Sequence, residues 1–148
     1  LLGYSDTGAL RKVLLHENVV EILAADDASI AFVGLAHLGG DRGRAVEILE
    51  SSTDFAVGRS VDLKSAPCAV VRERAGTFLV VTHRGLVRLN HDFTTQTVWD
   101  TRWGMLYPNS VAVDAAGIVY VGMRGVVGEL TPTGDEYREH WLFPPTEK

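Results

Sequence analysis

The chain has 148 residues, 14 basic against 19 acidic, for a formal charge of −5; at 46% apolar and 22% charged it has the balance of one ordinary globular domain. A single cysteine, Cys68, excludes an internal disulfide framework and a four-thiolate zinc site. The acidic balance argues against a nucleic-acid partner, and no apolar run approaches the roughly 18 residues of a membrane helix, so no membrane partner is expected either.

The N-terminal Leu1-Leu2-Gly3-Tyr4 carries neither the basic region nor the apolar core of a signal peptide, and compartment cannot be read from it. In chain order the first feature is a pair of short strands over 1–15. Its Ser5-Asp-Thr-Gly8 matches Thr131-Pro-Thr-Gly134 near the other end of the chain. Over 19–64, Asp27-Ala-Ser-Ile-Ala-Phe-Val-Gly34 matches Ala115-Ala-Gly-Ile-Val-Tyr-Val-Gly122, with the surplus length in the insertion Leu35–Gly43. Ala45, Ile48 and Leu49 have helical spacing, but Val46 and Leu49 align with Val127 and Leu130, which predicts a strand there.

Over 65–101, Pro67-Cys-Ala-Val-Val-Arg-Glu-Arg-Ala-Gly76 superposes without a gap on Pro108-Asn-Ser-Val-Ala-Val-Asp-Ala-Ala-Gly117, forty-one residues on. The pairs Arg84-Gly85 and Arg124-Gly125 match at forty, which implies a one-residue slip between them. In 109–143, Val111 and Val113 alternate with polar or small residues, a period-2 strand pattern. Asp114-Ala-Ala-Gly117 signals a tight hairpin with glycine at positive φ. Ile118–Val121 is continuously apolar, as a strand covered on both faces should be. Glu136–Phe143 reads as a more polar outer strand before Pro144-Pro145.

Four short antiparallel strands in each period of about 42 residues are the signature of a propeller blade. The expected fold is therefore all-β: a β-propeller portion of about three and a half four-stranded blades, a partial one at 1–15 and whole ones at about 19–64, 65–101 and 109–143. One such sheet cannot cover both of its apolar faces, so blades stack face to face around a channel. Gly34 and Gly122, at equivalent strand positions, suit close contact between neighbouring sheets. Closed propellers take roughly 4–8 blades. The expectation is a fragment of a longer propeller, favoured by the first residue not being methionine, or closure by a second copy.

Pro108-Asn-Ser-Val-Ala-Val-Asp-Ala-Ala-Gly-Ile-Val-Tyr-Val121 resembles the NHL-type propeller repeat, and Val127-Gly-Glu-Leu-Thr-Pro-Thr-Gly134 resembles blades of streptogramin B lyases. Gluconolactonase-type propellers share the Pro-Asn start. The resemblance is clear in the last blade, fair in the middle one and weak before residue 50. It implies a blade rather than an activity. Trp99-Asp100 falls in a fourth strand, outside the pattern of WD repeats.

In a propeller the loops entering the innermost strands share one mouth with the loops between second and third strands. Glu21, Cys68 and Asn109 start the three innermost strands, and beside them fall His37, Asp41 and Arg42 of the insertion, His83, Arg84 and Arg124. Arg102, Trp103 and Tyr107 lie on the approach. The leading reading is a non-catalytic recognition or scaffold module whose ligand-binding candidates are Glu21, His37, Arg42, His83, Arg84, Asn109 and Arg124. Its partner would be a protein or a small polar or anionic ligand. A solvated loop surface with no ligand accounts for the same polar residues.

The alternative is a divalent-metal hydrolase or lyase. Resemblance to the gluconolactonase type implies Asn109 as a metal ligand, with Glu21 a second oxygen donor for calcium or magnesium. Against it, the glycine after Pro-Asn in that family is Ser110 here, and Cys68 stands where a further oxygen ligand belongs. A lyase would use His83 as its acid or base. No cofactor is expected in the leading reading. Cys68, Trp99 and Trp141 read as packing residues, His91-Asp92 as a turn, and no serine nucleophile motif is present.

Overall fold

A computed structural model of the chain describes residues 2–4, 10–13, 21–26, 30–34, 42–50, 58–74, 76–100, 103–134 and 136–143. Its strands form four antiparallel sheets whose order follows the chain. The first sheet pairs β1 (Leu2–Tyr4) with β2 (Leu10–Val13). The second contains β3 (Glu21–Asp26), β4 (Ile30–Gly34), β5 (Ala45–Glu50) and β6 (Gly58–Asp62). The third contains β7 (Pro67–Arg74), β8 (Thr77–Thr82), β9 (Gly85–Leu89) and β10 (Thr95–Asp100). The fourth contains β11 (Ser110–Val113), β12 (Val119–Met123), β13 (Val126–Thr133) and β14 (Glu136–Leu142). The innermost strand β7 lies beside both β3 and β11, so the first strands of successive sheets share one side of the molecule.

Strand β8 shows why the sheets stack. Its Thr-Phe-Leu-Val-Val-Thr has no polar face to give to water, and Phe78 through Thr82 are all buried. Successive side chains point to opposite faces. Phe78 and Val80 enter a core with Val46, Ile48, Leu63, Val70, Val87 and Leu89, between the second and third sheets. Leu79 and Val81 enter another with Ala69, Leu86, Val119, Val121 and Leu130, between the third and fourth. Trp99 and Trp141 both pack on the edge of this second core. Removal of these faces from water, at roughly 25 cal/mol per Å² of apolar surface, holds one sheet on the next.

Strand β12 differs. Val119 and Val121 are fully buried, while Tyr120 and Gly122 between them are only half-buried. Among the described residues, the Val119–Val121 face of β12 packs on the third sheet, with Tyr120 and Gly122 on its other face.

Register settles two further points. Strand β5 pairs Val46 with Gly34 and Leu49 with Ala31, as β13 pairs Val127 with Gly122 and Leu130 with Val119. Residues 45–50 are a strand, and only Arg42–Arg44 form a short 3-10 turn. The one-residue slip read from the Arg-Gly pairs is absent. Both turns hold two residues, His83-Arg84 between Thr82 and Gly85 and Arg124-Gly125 between Met123 and Val126. Arg84 thus stands where Gly125 stands in the next sheet. A Cβ on Gly122 would meet the Ser110 side chain of its own sheet, so among the described residues the close approach at this glycine is made within the sheet.

The hairpin after β11 follows from one side chain. Asp114 Oδ1 accepts from Ala116 N and Ile118 N, both at 2.9 Å, while Gly117 N donates to Asp114 O and Gly117 takes φ +83°. Asp114→Ala is expected to cost about 1 kcal/mol, because the two amides return to water rather than being left buried. A urea titration should show a lower midpoint with an unchanged slope.

Candidate site at the loop end of the sheets

The sheets share an end at which each incoming segment is stitched to a second-to-third-strand turn. In the third sheet His83 N donates to Ala66 O at 3.1 Å. In the fourth, Arg124 N donates to Leu106 O at 2.7 Å and Asn109 N to Gly122 O at 3.0 Å. In the second, Leu63 N donates to Arg44 O at 2.9 Å, across the 3-10 turn that Arg42 opens. Thr82 tightens the turn beside it: its Oγ1 accepts from Arg84 N at 3.1 Å and donates to Gly85 O at 3.2 Å.

Among the sequence candidates, His83, Arg84, Asn109 and Arg124 are exposed at this end. Glu21 opens β3 at the same end, where it pairs with Gly34. His37, Asp41 and Arg102 lie outside the described residues. Tyr107 is exposed on the approach, but Trp103 is not. It is fully buried and its Nε1 donates to Glu139 Oε1 at 3.2 Å, tying the connecting segment to β14. Cys68 is half-buried with its Sγ 3.6 Å from Ala66 O, a packing position at the start of β7.

A cavity of about 180 Å³ opens here between the 63–65 segment and the Thr82–Gly85 turn. Arg84 lines it, together with Lys64, Ser65, Thr82 and Asp100, and Leu86 and Trp99 form part of its apolar wall. Arg84 Nη2 lies 3.9 Å from Asp100 Oδ2, an ion pair too long for a hydrogen bond. Lys64 Nζ lies 2.5 Å from Asp62 Oδ2. That hydrogen bond, and a second from Lys64 N, hold the Asp62 carboxyl below the usual carboxylate range. The cavity is lined by the Arg84 guanidinium and the Ser65 hydroxyl, with the Asp100 carboxylate beside them, while the Thr82 hydroxyl already donates to Gly85 O. Sequence reasoning found Arg84 but missed Lys64, Ser65, Thr82 and Asp100. The first two were within reach, since they lie on a segment entering an innermost strand.

At the opposite end a second cavity, of about 230 Å³, separates the outer parts of the third and fourth sheets. Its central charged residues pair with one another. Arg88 Nε and Nη2 donate to the two Glu73 carboxylate oxygens, both at 2.6 Å. This pairing pushes the Arg88 guanidinium up, while burial raises the Tyr137 phenol that faces it. Arg59 of β6 spans the neighbouring pair of sheets, 5.1 Å over the Phe93 ring and 3.0 Å from Asp92 O. Asp92 Oδ1 accepts from Thr94 N and Thr94 Oγ1, a turn role that lowers its carboxyl.

No family model matches the chain, and no curated protein does. Solved structures do. A virginiamycin B lyase from Staphylococcus aureus, with selenomethionine in place of methionine, superposes on 98% of this chain and 48% of its own, at 12% identity and a TM-score of 0.69. A catalytically inactive variant of virginiamycin B lyase from the same organism, with quinupristin, gives 98%, 55%, 12% and 0.65. A streptogramin B lyase gives 83%, 40%, 8% and 0.60.

The chain folds as part of a β-propeller. Its four-stranded sheets are blades, and it spans about half the length of the propellers it superposes on. At these identities the likeness extends to the fold. The NHL type, one variety of the same architecture, is not distinguished by it. Arg84 and Arg124 share the loop end, and the Arg88–Glu73 cavity lies at the other.

Proposed function

We propose that this propeller portion is a recognition module that binds a small polar or anionic ligand, or an acidic stretch of a partner protein, at its loop end. The observation that carries the reading is the 180 Å³ cavity, which an exposed Arg84 lines together with Lys64, Ser65 and Thr82. A planar guanidinium held only loosely by Asp100 can take a carboxylate or phosphate in a two-pronged contact. Arg124, exposed on the corresponding turn of the next blade, adds positive charge to the same end. His83, Asn109, Glu21, Arg42 and His37 belong to this reading as loop-end residues.

A second reading, a propeller lyase or hydrolase, draws on the lyase titles of the superposed structures. It assigns oxygen donors to Glu21 and Asn109 for calcium or magnesium, and acid–base work to His83. The donor set fits such an ion poorly. Among the described residues no three His, Cys, Asp or Glu side chains gather, and the middle blade places the soft thiol Cys68 where a hard donor is needed. No catalytic step is derived from it.

Titration of the labelled protein with citrate, inorganic phosphate and a glutamate-rich peptide, followed by NMR, tests the first reading. At least one of these probes is expected to shift the amides of residues 64–65 and 82–85. Arg84→Ala with Arg124→Ala should weaken that binding about tenfold or more, equivalent to about 1.4 kcal/mol. Unchanged affinity in the double variant refutes the module. Heat released on adding magnesium or calcium would favour the second reading.

A further inference from the structure

We propose that the cavity beside Arg84 is a site for a free α-amino acid with an apolar side chain. Arg84 takes its carboxylate and Asp100 its ammonium. The inference rests on the recognition reading above and narrows it, since both concern the same 180 Å³ cavity.

The charges on the cavity wall are the starting point. Lys64, Arg84 and Asp100 line it. The lysine is tied to its own turn. It takes a left-handed conformation, φ +61°, in which its amide donates to Asp62 Oδ1 at 2.8 Å and its ammonium to Asp62 Oδ2. One cation and one anion remain. Arg84 Nη2 and Asp100 Oδ2 stand 3.9 Å apart, beyond hydrogen-bond reach, so neither group saturates the other. Their nearness is fixed by the backbone, because Asp100 pairs with Gly85, the residue after Arg84.

Two opposite charges held side by side but unbonded discriminate among ligands. A simple anion that reaches Arg84 also meets the Asp100 carboxylate, and the like charges oppose its binding. A zwitterion gives each group its complement. The guanidinium has five N–H donors, enough to keep Asp100 near while it takes a second carboxylate on another edge. Size agrees with this choice. At the roughly 30 Å³ that a water molecule takes in the liquid, the cavity holds about six waters, which suits a free amino acid and not a length of peptide. The rest of the wall includes half-buried Trp99 and buried Leu63, Leu86 and Val87, an apolar surface for the ligand's side chain. A few convergent polar groups on such a wall are the usual make-up of a small-molecule site.

Titration of the labelled chain with L-leucine, N-acetyl-L-leucine and L-leucinamide, each to about 20 mM, tests this by NMR of the amides at 64–65, 82–87 and 97–100. Leucine should bind at least about tenfold more tightly than either derivative, because acetylation removes the ammonium and amidation the carboxylate. That comparison needs no variant. Asp100→Asn, at an exposed position, should weaken leucine at least about fivefold and leave N-acetyl-leucine as tight or tighter. Arg84→Gln should weaken leucine and N-acetyl-leucine alike. The proposal is overturned if N-acetyl-leucine matches leucine, if Asp100→Asn keeps full leucine affinity, or if leucine moves none of these amides. Citrate and inorganic phosphate on the same sample separate this outcome from failure of the broader reading. A response to either of them with none to leucine removes the amino acid and leaves the recognition module standing. Silence towards every probe removes both.

Discussion

Leu79→Ala is expected to remove about 3–4 kcal/mol of folding stability, a large part of the roughly 5–15 kcal/mol that holds a domain of this kind together. Leu79 is fully buried in β8, facing Val119, Val121 and Leu130 of the last blade through the shared core. Truncation loses the transfer energy of three carbons and leaves a cavity between two sheets. Regular hydrogen bonding on each side keeps those sheets from collapsing into it. Val127→Ala, half-buried in β13 and outside that core, supplies the contrast and should cost less than about 1 kcal/mol. Guanidinium unfolding of the two variants at equal concentration measures both. Equal losses would mean that the blade-on-blade core does not carry the stability of this fold.

Gly85→Ala should be as damaging, at about 3 kcal/mol or more, for a different reason. Gly85 opens β9 with φ +139°, a conformation almost closed to residues with a Cβ. A Cβ built there would also fall on the carbonyl of Trp99, a backbone atom of the paired strand β10. A side chain could swing aside, but this carbonyl moves only if the Trp99–Leu86 and Asp100–Gly85 pairing is given up. Gly117→Ala separates the two contributions. Gly117 also has positive φ, at +83°, but nothing stands within contact range of an added Cβ, so only the backbone cost of about 1 kcal/mol remains. Thermal unfolding of the pair should rank them in that order. Equal melting temperatures would show that the strand edge at Trp99 yields freely.

Much of the blade was legible because its cues are local. Period-2 alternation at 111–113, the apolar run at 78–81 and the Asp114–Gly117 turn each depend on residues within a few positions of one another. Aligning Val46 with Val127 removed the helix–strand ambiguity at 45–50, since a repeat lends one copy the clearer pattern of another. The candidate site was half legible. That Arg84 and Arg124 belong to one end follows from strand alternation and count. The cavity beside Arg84 does not, because Asp100 reaches it from β10 and Lys64 from the segment before β7. Trp103 was misplaced for a related reason: its partner Glu139 is 36 residues away.

The sequence by itself determined that the chain is all-β, that a unit of about 42 residues recurs, and which segments pair into strands. Local sterics and side-chain periodicity decide those matters before any sheet meets another. Only the tertiary structure decided the rest: which face of β12 packs on the third sheet, why Gly85 admits no side chain, and which polar residues enclose the cavity at Arg84. Each depends on atoms brought together by sheet stacking and strand register. Burial and close approach are properties of that assembly, not of any one stretch of chain.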